Sequence, residues 1–445
     1  MEAQQIITVK RMGYGSEAVG RLADGKTVFV EGAAPGDVVE VAVVEDKPTF
    51  CRARIVRVVE PSDVRVQPFC EMGGVCGGCP WQHVSYDAQL VAKRDNVVAA
   101  LVRTAHFAAD AAEEAVAPCV PSKRQTGYRN KLELGVSRAT DGGLALGFLR
   151  EGSHDPVVPV SCPVATRPIQ KAPKALRGAL RFLSGSQDLG LFRVGVRGSV
   201  RTGEVEIALW TSPGAFPRAA VANTLGSALK ATSIVRVVAE PGRARKVKKV
   251  EVLAGKGYWA EELSGCAFRT SAPSFFQVNT AQAEKLVDSV LVGLSNGDPA
   301  RLGGRLVADL YSGGGTFSVP LARAGADTIA VESAGSSVRD LRRNAEANHV
   351  DIEVIGGDTA RELPELGGLD ALVVDPPRAG LADGVVESIA AAAPGRVAYV
   401  SCNPATWARD VARFEQNGYQ LLKATPVDMF PQTHHIEVAS IFRRL

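Results

Sequence analysis

The 445 residues show few of the patterns that direct a chain into or across a membrane. No uninterrupted apolar run is long enough to span a bilayer. The opening Met1-Glu-Ala-Gln-Gln has none of the basic-then-apolar pattern of a secretory signal. Neither an internal repeat nor a low-complexity tract is visible, so ordinary globular domains are expected. Aromatic residues are sparse at 6%, and net charge is only +3. A hydrophobic content of 46% and a mean hydropathy near zero are typical of a soluble globular protein. The reading is a cytoplasmic protein without a membrane segment, and its eight cysteines are then not expected to form disulfides. The length exceeds one ordinary core, so two or three domains are expected.

The modest net charge hides an uneven distribution. Residues 120–250 carry 22 Lys and Arg against 8 Asp and Glu, while acids exceed bases on either side. A basic middle between acidic ends is the footprint of a polyanionic partner, and nucleic acid is favoured over a merely solvated face. The run Arg243-Ala-Arg245-Lys246-Val-Lys248-Lys249 alternates basic with apolar residues, as one face of a strand or hairpin would.

Residues 1–62 read as five short strands, over Ile6–Lys10, Ala18–Leu22, Thr27–Val30, Val38–Val44 and Ala53–Val59. The turn signals Gly13-Tyr14-Gly15, Asp24-Gly25 and Pro35-Gly36-Asp37 punctuate them, which predicts a small barrel of the OB type. Residues 63–265 hold a cysteine cluster, a helical stretch over roughly 85–115, and then strands and glycine loops. From 266 to 445 strands alternate with helices, which implies an α/β domain with a mostly parallel sheet.

Within that last part, Leu306–Leu310 reads as a buried strand. The glycine turn Tyr311-Ser-Gly313-Gly314-Gly315-Thr316 and a helix follow it. Glycines there let a ligand approach the backbone closely. The next strand ends in Glu332, suited to the hydroxyls of a ribose. A third strand leads to Asp358, placed to meet an adenine, and a fourth ends in Asp375-Pro-Pro-Arg378. A dinucleotide site is the main competitor, but its third glycine is replaced by Ser318 and an acid, Asp309, precedes the loop. Asp309-Leu-x-x-Gly313-x-Gly315-Thr316 looks instead like motif I of the class I methyltransferases, which bind S-adenosylmethionine. Asp309, Gly313, Gly315, Thr316, Glu332, Asp358 and Asp375 are therefore candidate cofactor residues.

Two groups of cysteines stand out. Cys402 ends the strand-like run Arg396–Ser401 and precedes an Asn-Pro turn, at the kind of strand end where α/β sheets place their chemistry. It is a candidate nucleophile, against the alternative of a buried small hydrophobe. Cys70, Cys76 and Cys79 lie close together with glycine spacers, and Cys162 is available as a fourth thiol. Four thiolates suit zinc or an iron–sulfur cluster, and three close cysteines with one distant partner lean toward a 4Fe–4S cubane. Cys51, Cys119 and Cys266 have no such setting and read as core. His434 and His435 could suggest a metal pair, but on a strand they would point to opposite faces.

Taken together, these motifs resemble the RNA 5-methyluridine (uracil-5-) methyltransferases, and the resemblance covers nearly the whole chain. The closest pattern is that of the enzymes acting on 23S rRNA. The N-terminal barrel is similar to a TRAM domain, and Cys70, Cys76, Cys79 and Cys162 match the family's iron–sulfur ligands. Tyr128-Arg-Asn130-Lys131, Gly147-Phe-Leu-Arg150 and Ser274-Phe-Phe-Gln277-Val-Asn279 match further signatures. Ser401-Cys402-Asn403-Pro404 matches the nucleophile motif, and Asp428-Met-Phe-Pro431-Gln-Thr433-x-His435-x-Glu437 the C-terminal base motif. Thr316 stands where many members have Asn, and Gln432 where His is common. The resemblance implies a class I methyltransferase fold with a β-rich central iron–sulfur domain, and a helix over about 85–115 packed on the catalytic domain. It further implies cofactor contacts from Gln277, Tyr311, Glu332 and Asp358, with Asp375 on the cofactor or the uracil.

The implied chemistry explains the thiol. Carbon 5 of uracil is a poor nucleophile until Cys402 adds to carbon 6 and makes the ring an enolate. Carbon 5 then takes the methyl group of S-adenosylmethionine, Glu437 removes its proton, and the thiolate leaves. The target base must first leave its stack. The expected partner is RNA, with 23S rRNA favoured over tRNA, and the expected state is a monomer. A non-catalytic RNA-binding scaffold and a nicotinamide oxidoreductase are the readings from other classes.

Overall fold

The computed structural model describes residues 4–139, 142–153, 155–185, 188–242 and 246–445. Five strands, Gln4–Met12 (β1), Glu17–Arg21 (β2), Thr27–Glu31 (β3), Val38–Asp46 (β4) and Phe50–Glu60 (β5), close into a barrel in the order β1-β2-β3-β5-β4. Alternation fills its inside: Ile7 and Val9, Val28 and Val30, Val39 and Val41, and Cys51 and Ala53 are buried while their neighbours face out. Closure leaves no strand edge unpaired.

The central sheet has seven strands: Lys131–Arg138 (β6), Leu144–Leu149 (β7), Pro156–Val157 (β8), Leu191–Gly198 (β9), Val205–Thr211 (β10), Ser233–Val238 (β11) and Lys249–Gly255 (β12). Their order is β12-β11-β10-β9-β6-β7-β8, antiparallel except for β10 and β11. Helices Ala172–Ser184 and Arg218–Leu229 cover one face through Leu176, Leu180, Val221 and Leu225. Part of the basic charge of this region is structural. Arg197 is buried and donates to the carbonyls of Ser271 and Ser274, and Arg236 bonds Thr211 and Ser212 with its guanidinium over Phe216. Lys123, Arg124, Arg150, Arg167, Lys171 and Lys174 are exposed. Arg243 and Arg245 of the basic run lie outside the described residues. Lys248 pairs with Glu240 at 2.6 Å and Lys249 with Glu251 at 3.0 Å.

A hairpin, Trp259–Leu263 (β13) and Cys266–Thr270 (β14), follows. Trp259, Leu263, Cys266 and Phe268 share a core with Leu286, Val307 and Phe317 of the next domain. The division read at residue 265 therefore runs through the turn of this hairpin, because the sequence pattern alone does not tell which core its apolar face joins.

The last sheet contains Leu306–Leu310 (β15), Asp327–Glu332 (β16), Ile352–Gly356 (β17), Ala371–Val374 (β18), Arg396–Ser401 (β19), Tyr419–Val427 (β20) and Glu437–Arg444 (β21), in the order β17-β16-β15-β18-β19-β21-β20. The first five in that order run parallel, and β21 lies antiparallel between β19 and β20. Buried on both faces, β15 and β18 read as nearly continuous apolar runs.

The helical stretch expected over 85–115 is two helices, Tyr86–Thr104 and Ala109–Ala115. The first ends where His106 takes a left-handed conformation, φ 59°, a common way for a helix to stop. Val97, Leu101, Ala112 and Cys119 join the core of Trp407, Val411, Tyr419 and Ala424, so this segment packs on the last sheet. Its polar side grips the chain between β20 and β21. Lys93 and Asp428, both fully buried, form an ion pair, and the Tyr86 hydroxyl donates to the same carboxylate at 2.6 Å. Gln89 and Gln432 exchange hydrogen bonds, the Gln432 amide N–H donating at 2.9 Å and Gln89 Nε2 donating to Gln432 Oε1 at 3.0 Å. Among the described residues no helix is long and apolar enough to cross a membrane.

Candidate active site

Strand order creates the cofactor crevice. From β15 the chain winds outward through β16 and β17, then crosses back to β18 and β19 on the other side. Such a reversal opens a cleft beyond the carboxyl ends of the central strands. The turn after β15 enters that cleft with Tyr311 in a left-handed conformation, φ 61°, unusual for a side chain of its size. A β-carbon at Gly315, φ 93°, would collide with Leu341, so the turn can approach the helix Gly335–Ala347 only with glycine there. The Glu332 carboxylate accepts from the amides of Gly313 at 2.9 Å and Ala334 at 2.6 Å, which fixes it at the end of β16. Asp358 caps the helix Thr359–Glu362 through the amide of Ala360, and the Tyr311 hydroxyl meets Thr359. Thr316 lies half-buried within the turn.

Asp309 is fully buried beneath the turn. One carboxylate oxygen accepts from the Ser318 hydroxyl at 2.5 Å and the other has no partner. Burial raises this carboxyl to about 7. Gln277 is also buried. Its carbonyl is held by Asn130 Nδ2 at 2.9 Å, while its side-chain oxygen is unpartnered. Buried polar atoms left without partners are uncommon, and here they suit a ligand that brings donors of its own.

The thiol and the acid meet through strand register. Along the antiparallel pair, Val400 lies opposite Ala439 and Ser401 opposite Val438. Cys402 follows one residue beyond this ladder and Glu437 is the first residue of β21, close enough for its charge to act on the thiol. Asn403 turns the chain into the helix Pro404–Gln416 by accepting from the Ala405 amide at 3.2 Å. Its Nδ2 and the Thr406 hydroxyl both donate to the Arg378 carbonyl at 3.1 Å, which ties the Asp375–Arg378 loop to the thiol's own turn. Burial, with Glu437 and Asp375 nearby, pushes the Cys402 thiol up to about 11, and Arg378 opposes the shift. Burial and Asp375 likewise raise Glu437 well above the ordinary carboxylate range, again against Arg378. Burial and Asp309 bring Asp375 to about 7. The site thus gathers a thiol and carboxyls that all resist ionisation.

His434 and His435 do not point to opposite faces. They lie in the bend before β21 with ring centroids 4.1 Å apart. The expectation assumed a strand, but Gln432 with φ 72° and the bend at Thr433 delay the strand to Glu437.

Cys70, Cys76, Cys79 and Cys162 are half-buried and close enough for their charges to interact. The ionisation of Cys79, pushed up to about 12 by burial, is opposed further by charge on Cys162, Cys76 and Cys70. Gly77 lies against the backbone of Arg150–Glu151, where a β-carbon would come within 3.0 Å, so the glycine spacer lets the loop pack there. Among the described residues no three His, Cys, Asp or Glu side chains stand as a group that could hold a metal ion. Cys51, Cys119 and Cys266 are buried in three separate cores.

Sequence reasoning missed two contributors. Tyr14, read only as part of a turn, reaches from the barrel and donates to the Cys402 carbonyl at 3.3 Å. Arg378, quoted without a role, is the cation that acts on Cys402 and Glu437 together. Neither carried a signal in the chain, because both act through contacts with distant segments.

A thiol that titrates at about 11 is almost wholly protonated at neutral pH, so its thiolate fraction grows tenfold per pH unit well below that value. Alkylation of Cys402 in ligand-free protein, followed by peptide mass spectrometry, is expected to rise about tenfold per unit from pH 8 to 10 without a plateau. Arg378→Ala should slow it at every pH in that range. A plateau below pH 9, or a faster Arg378→Ala variant, would contradict this electrostatic picture.

Residues 4–56 match the family model of the TRAM domain, and residues 367–445 that of the tRNA (Uracil-5-)-methyltransferases. An uncharacterized RNA methyltransferase of Thermosynechococcus vestitus is 35% identical, covering 98% of this chain and 97% of its own. Another, of Gloeobacter violaceus, is 34% identical over 98% and 96%. The crystal structure of the Pyrococcus abyssi tRNA (uracil-54, C5)-methyltransferase in complex with S-adenosyl-L-homocysteine superposes with a TM-score of 0.74 at 29% identity, over 98% of this chain and 99% of that one. With the glycine turn, the reversed strand order and the N-terminal barrel, these likenesses establish that the chain belongs to the S-adenosylmethionine-dependent RNA uracil-5-methyltransferases that carry a TRAM domain.

Proposed function

We propose that the enzyme methylates carbon 5 of a uridine in 23S rRNA through a temporary bond between Cys402 and carbon 6 of the base, with Glu437 as the base that takes the carbon-5 proton. The observation that carries this reading is that Cys402, just past the β19–β21 ladder, lies within electrostatic reach of Glu437, 35 residues away in the chain. Cys402 first gives its Sγ proton to solvent, the resulting thiolate adds its electron pair to carbon 6, and the ring carries the charge as an enolate. S-adenosylmethionine, when bound, supplies the methyl group that carbon 5 accepts. Glu437 then removes the carbon-5 proton, the ring double bond re-forms and the Cys402 thiolate leaves. A buried carboxylate has the raised proton affinity that this last step needs. Arg378 opposes the local negative charge while the thiolate exists.

Gln277, Asp309, Tyr311, Gly313, Gly315, Thr316, Glu332, Asp358 and Asp375 are the residues proposed to hold the cofactor, with Asp375 also near enough to the thiol to serve the uracil. The barrel and the exposed basic residues of the middle region are assigned to RNA phosphates, and the target base reaches the pocket by leaving its stack. Cys70, Cys76, Cys79 and Cys162 lie within electrostatic reach of one another though not closed into a ready metal site, and their thiol chemistry supports the proposal that they are the ligands of a 4Fe–4S cluster. Such a cluster would brace the loop between the barrel and the central sheet.

The likeness to the Pyrococcus abyssi enzyme favours a second substrate, tRNA, since that enzyme acts on uracil 54 of tRNA and matches this chain from end to end. Loss of 5-methyluridine from 23S rRNA alone in cells without the gene is the expected outcome. Loss from tRNA alone would select the second reading.

Cys402→Ala is expected to abolish methyl transfer by at least a thousandfold while cofactor binding stays within about twofold. Glu437→Gln should accumulate a covalent enzyme–RNA species after methyl transfer, visible on denaturing gels. Near-parent turnover in the first variant, or clean product release in the second, would sink the assignments. Protein purified without oxygen should be brown and carry about four iron and four sulfide per chain. Stoichiometric zinc with no visible absorbance would rule the cluster out.

A further inference from the structure

The β1–β2 turn of the TRAM barrel reaches across to the catalytic sheet and is pinned there from several sides. Asn96 Nδ2 donates to the Gly13 carbonyl at 3.2 Å, and the indole N–H of the fully buried Trp81 donates to the Gly15 carbonyl at 2.9 Å. Both donors belong to segments that themselves hold the chain near Glu437. Trp81 donates its amide to the Gln432 carbonyl at 3.0 Å, and Asn96 lies on the helix that carries Lys93 and Gln89. Between the two pinned glycines stands Tyr14. Its hydroxyl donates to the Cys402 carbonyl at 3.3 Å, and its ring meets His434 edge-on with centroids 5.8 Å apart. One side chain from the barrel therefore touches the end of β19, which carries the thiol, and the bend that delivers Glu437.

Two further observations separate this from ordinary packing. Tyr14 is 40% exposed, so it is not sealed in a core. His434 Nδ1, against the same ring, is buried without a hydrogen-bond partner. A polar atom in that condition beside a partly exposed aromatic ring fits a base or ribose that arrives with the RNA. The phenol also stays a donor. Burial, with Cys402 and Glu437 close by, pushes it up to about 12.

We infer that Tyr14 is a positioning residue of the methyl-transfer site, holding the Cys402 backbone by its hydroxyl and walling the uridine pocket together with His434, so that the catalytic pocket is complete only with the barrel docked. The inference rests on the reading of Cys402 as nucleophile. It makes the barrel more than a handle for RNA, since seating of RNA on the barrel would bear directly on the turn that orients the thiol.

The test uses the full-length enzyme, S-adenosylmethionine and a transcript containing 5-fluorouridine, which retains the covalent adduct because its carbon-5 substituent is not removed as a proton. Tyr14→Phe deletes the hydroxyl and keeps the ring, and Tyr14→Ala deletes both. At saturating RNA, Tyr14→Phe is expected to form the adduct about tenfold more slowly, the rate equivalent of one hydrogen bond. Tyr14→Ala should be slower again. RNA affinity of Tyr14→Phe and cofactor affinity of both variants should stay within about twofold of the parent. A structural role in RNA docking alone would raise the RNA requirement and spare the saturated rate, and that result would overturn the inference. Parent-like adduct rates in both variants would overturn it too. Failure of the parent enzyme itself to form an adduct would remove the nucleophile assignment and this inference with it, and only that outcome touches both.

Discussion

The site depends on one hydrogen-bonded ladder. β21 runs antiparallel between β19 and β20, so its first residue lies beside the last residues of β19. Had the final strand been parallel, Glu437 would begin at the opposite edge of the sheet, some 20 Å from Cys402 by strand length. A slip by one residue would turn the acid to the other face. The antiparallel insertion thus decides both the distance and the side, and the buried pairs Val397–Phe442 and Val400–Ala439 hold the register by keeping apolar side chains on apolar surface.

Burial gives that pair its chemistry and its cost. Cys402, Glu437 and Asp375 each lose hydration, and Glu437 and Asp375 oppose ionisation of the thiol, Asp375 that of Glu437, and Asp309 that of Asp375. Such a cluster is tolerable because its members need not all be ionised at once and because Arg378 lies near to offset the charge on the one that is. The loop leading into Glu437 is correspondingly overdetermined. Asp428 is held by Lys93 and Tyr86, Pro431 by the Tyr128 hydroxyl at 3.1 Å, and Gln432 by Gln89. Gln432, which departs from the residue common in the family, is therefore part of a reciprocal amide pair in this chain. Breaking a buried ion pair such as Lys93–Asp428 typically costs about 3–5 kcal/mol, enough to loosen the turn that presents the acid.

The family signatures outside the catalytic sheet have structural reasons of the same kind. Tyr128 reaches Pro431, and Asn130 holds the Gln277 carbonyl and the Thr280 hydroxyl. These contacts join the central sheet to the catalytic one, while Trp81 and Asn96 tie the barrel to segments that pack on the catalytic sheet. The three bodies are tied together at the active site rather than merely linked by chain. The excess of basic residues in the middle region is shared between such ties, as at Arg197, and an exposed set free to meet phosphate.

Much of this was legible in the chain. The five barrel strands, the glycine turn after β15, the acids at successive strand ends and the Ser401-Cys402-Asn403 turn are local patterns, and local patterns follow from backbone preference and the alternation of apolar side chains. The break at His106, the assignment of the Trp259–Thr270 hairpin to the catalytic core and the bend that brings His434 and His435 together were not legible. Each depends on which distant surface an apolar face meets. Likewise the residue types of Cys402, Glu437 and Asp375 are written in the sequence, but not the shared field that raises all three, since burial and neighbouring charge exist only once the sheet is assembled. Tyr14 shows the limit most plainly. Between two glycines its sequence says turn and nothing more, and only the closing of a barrel against a sheet nearly 390 residues further along sets its hydroxyl on the carbonyl of Cys402.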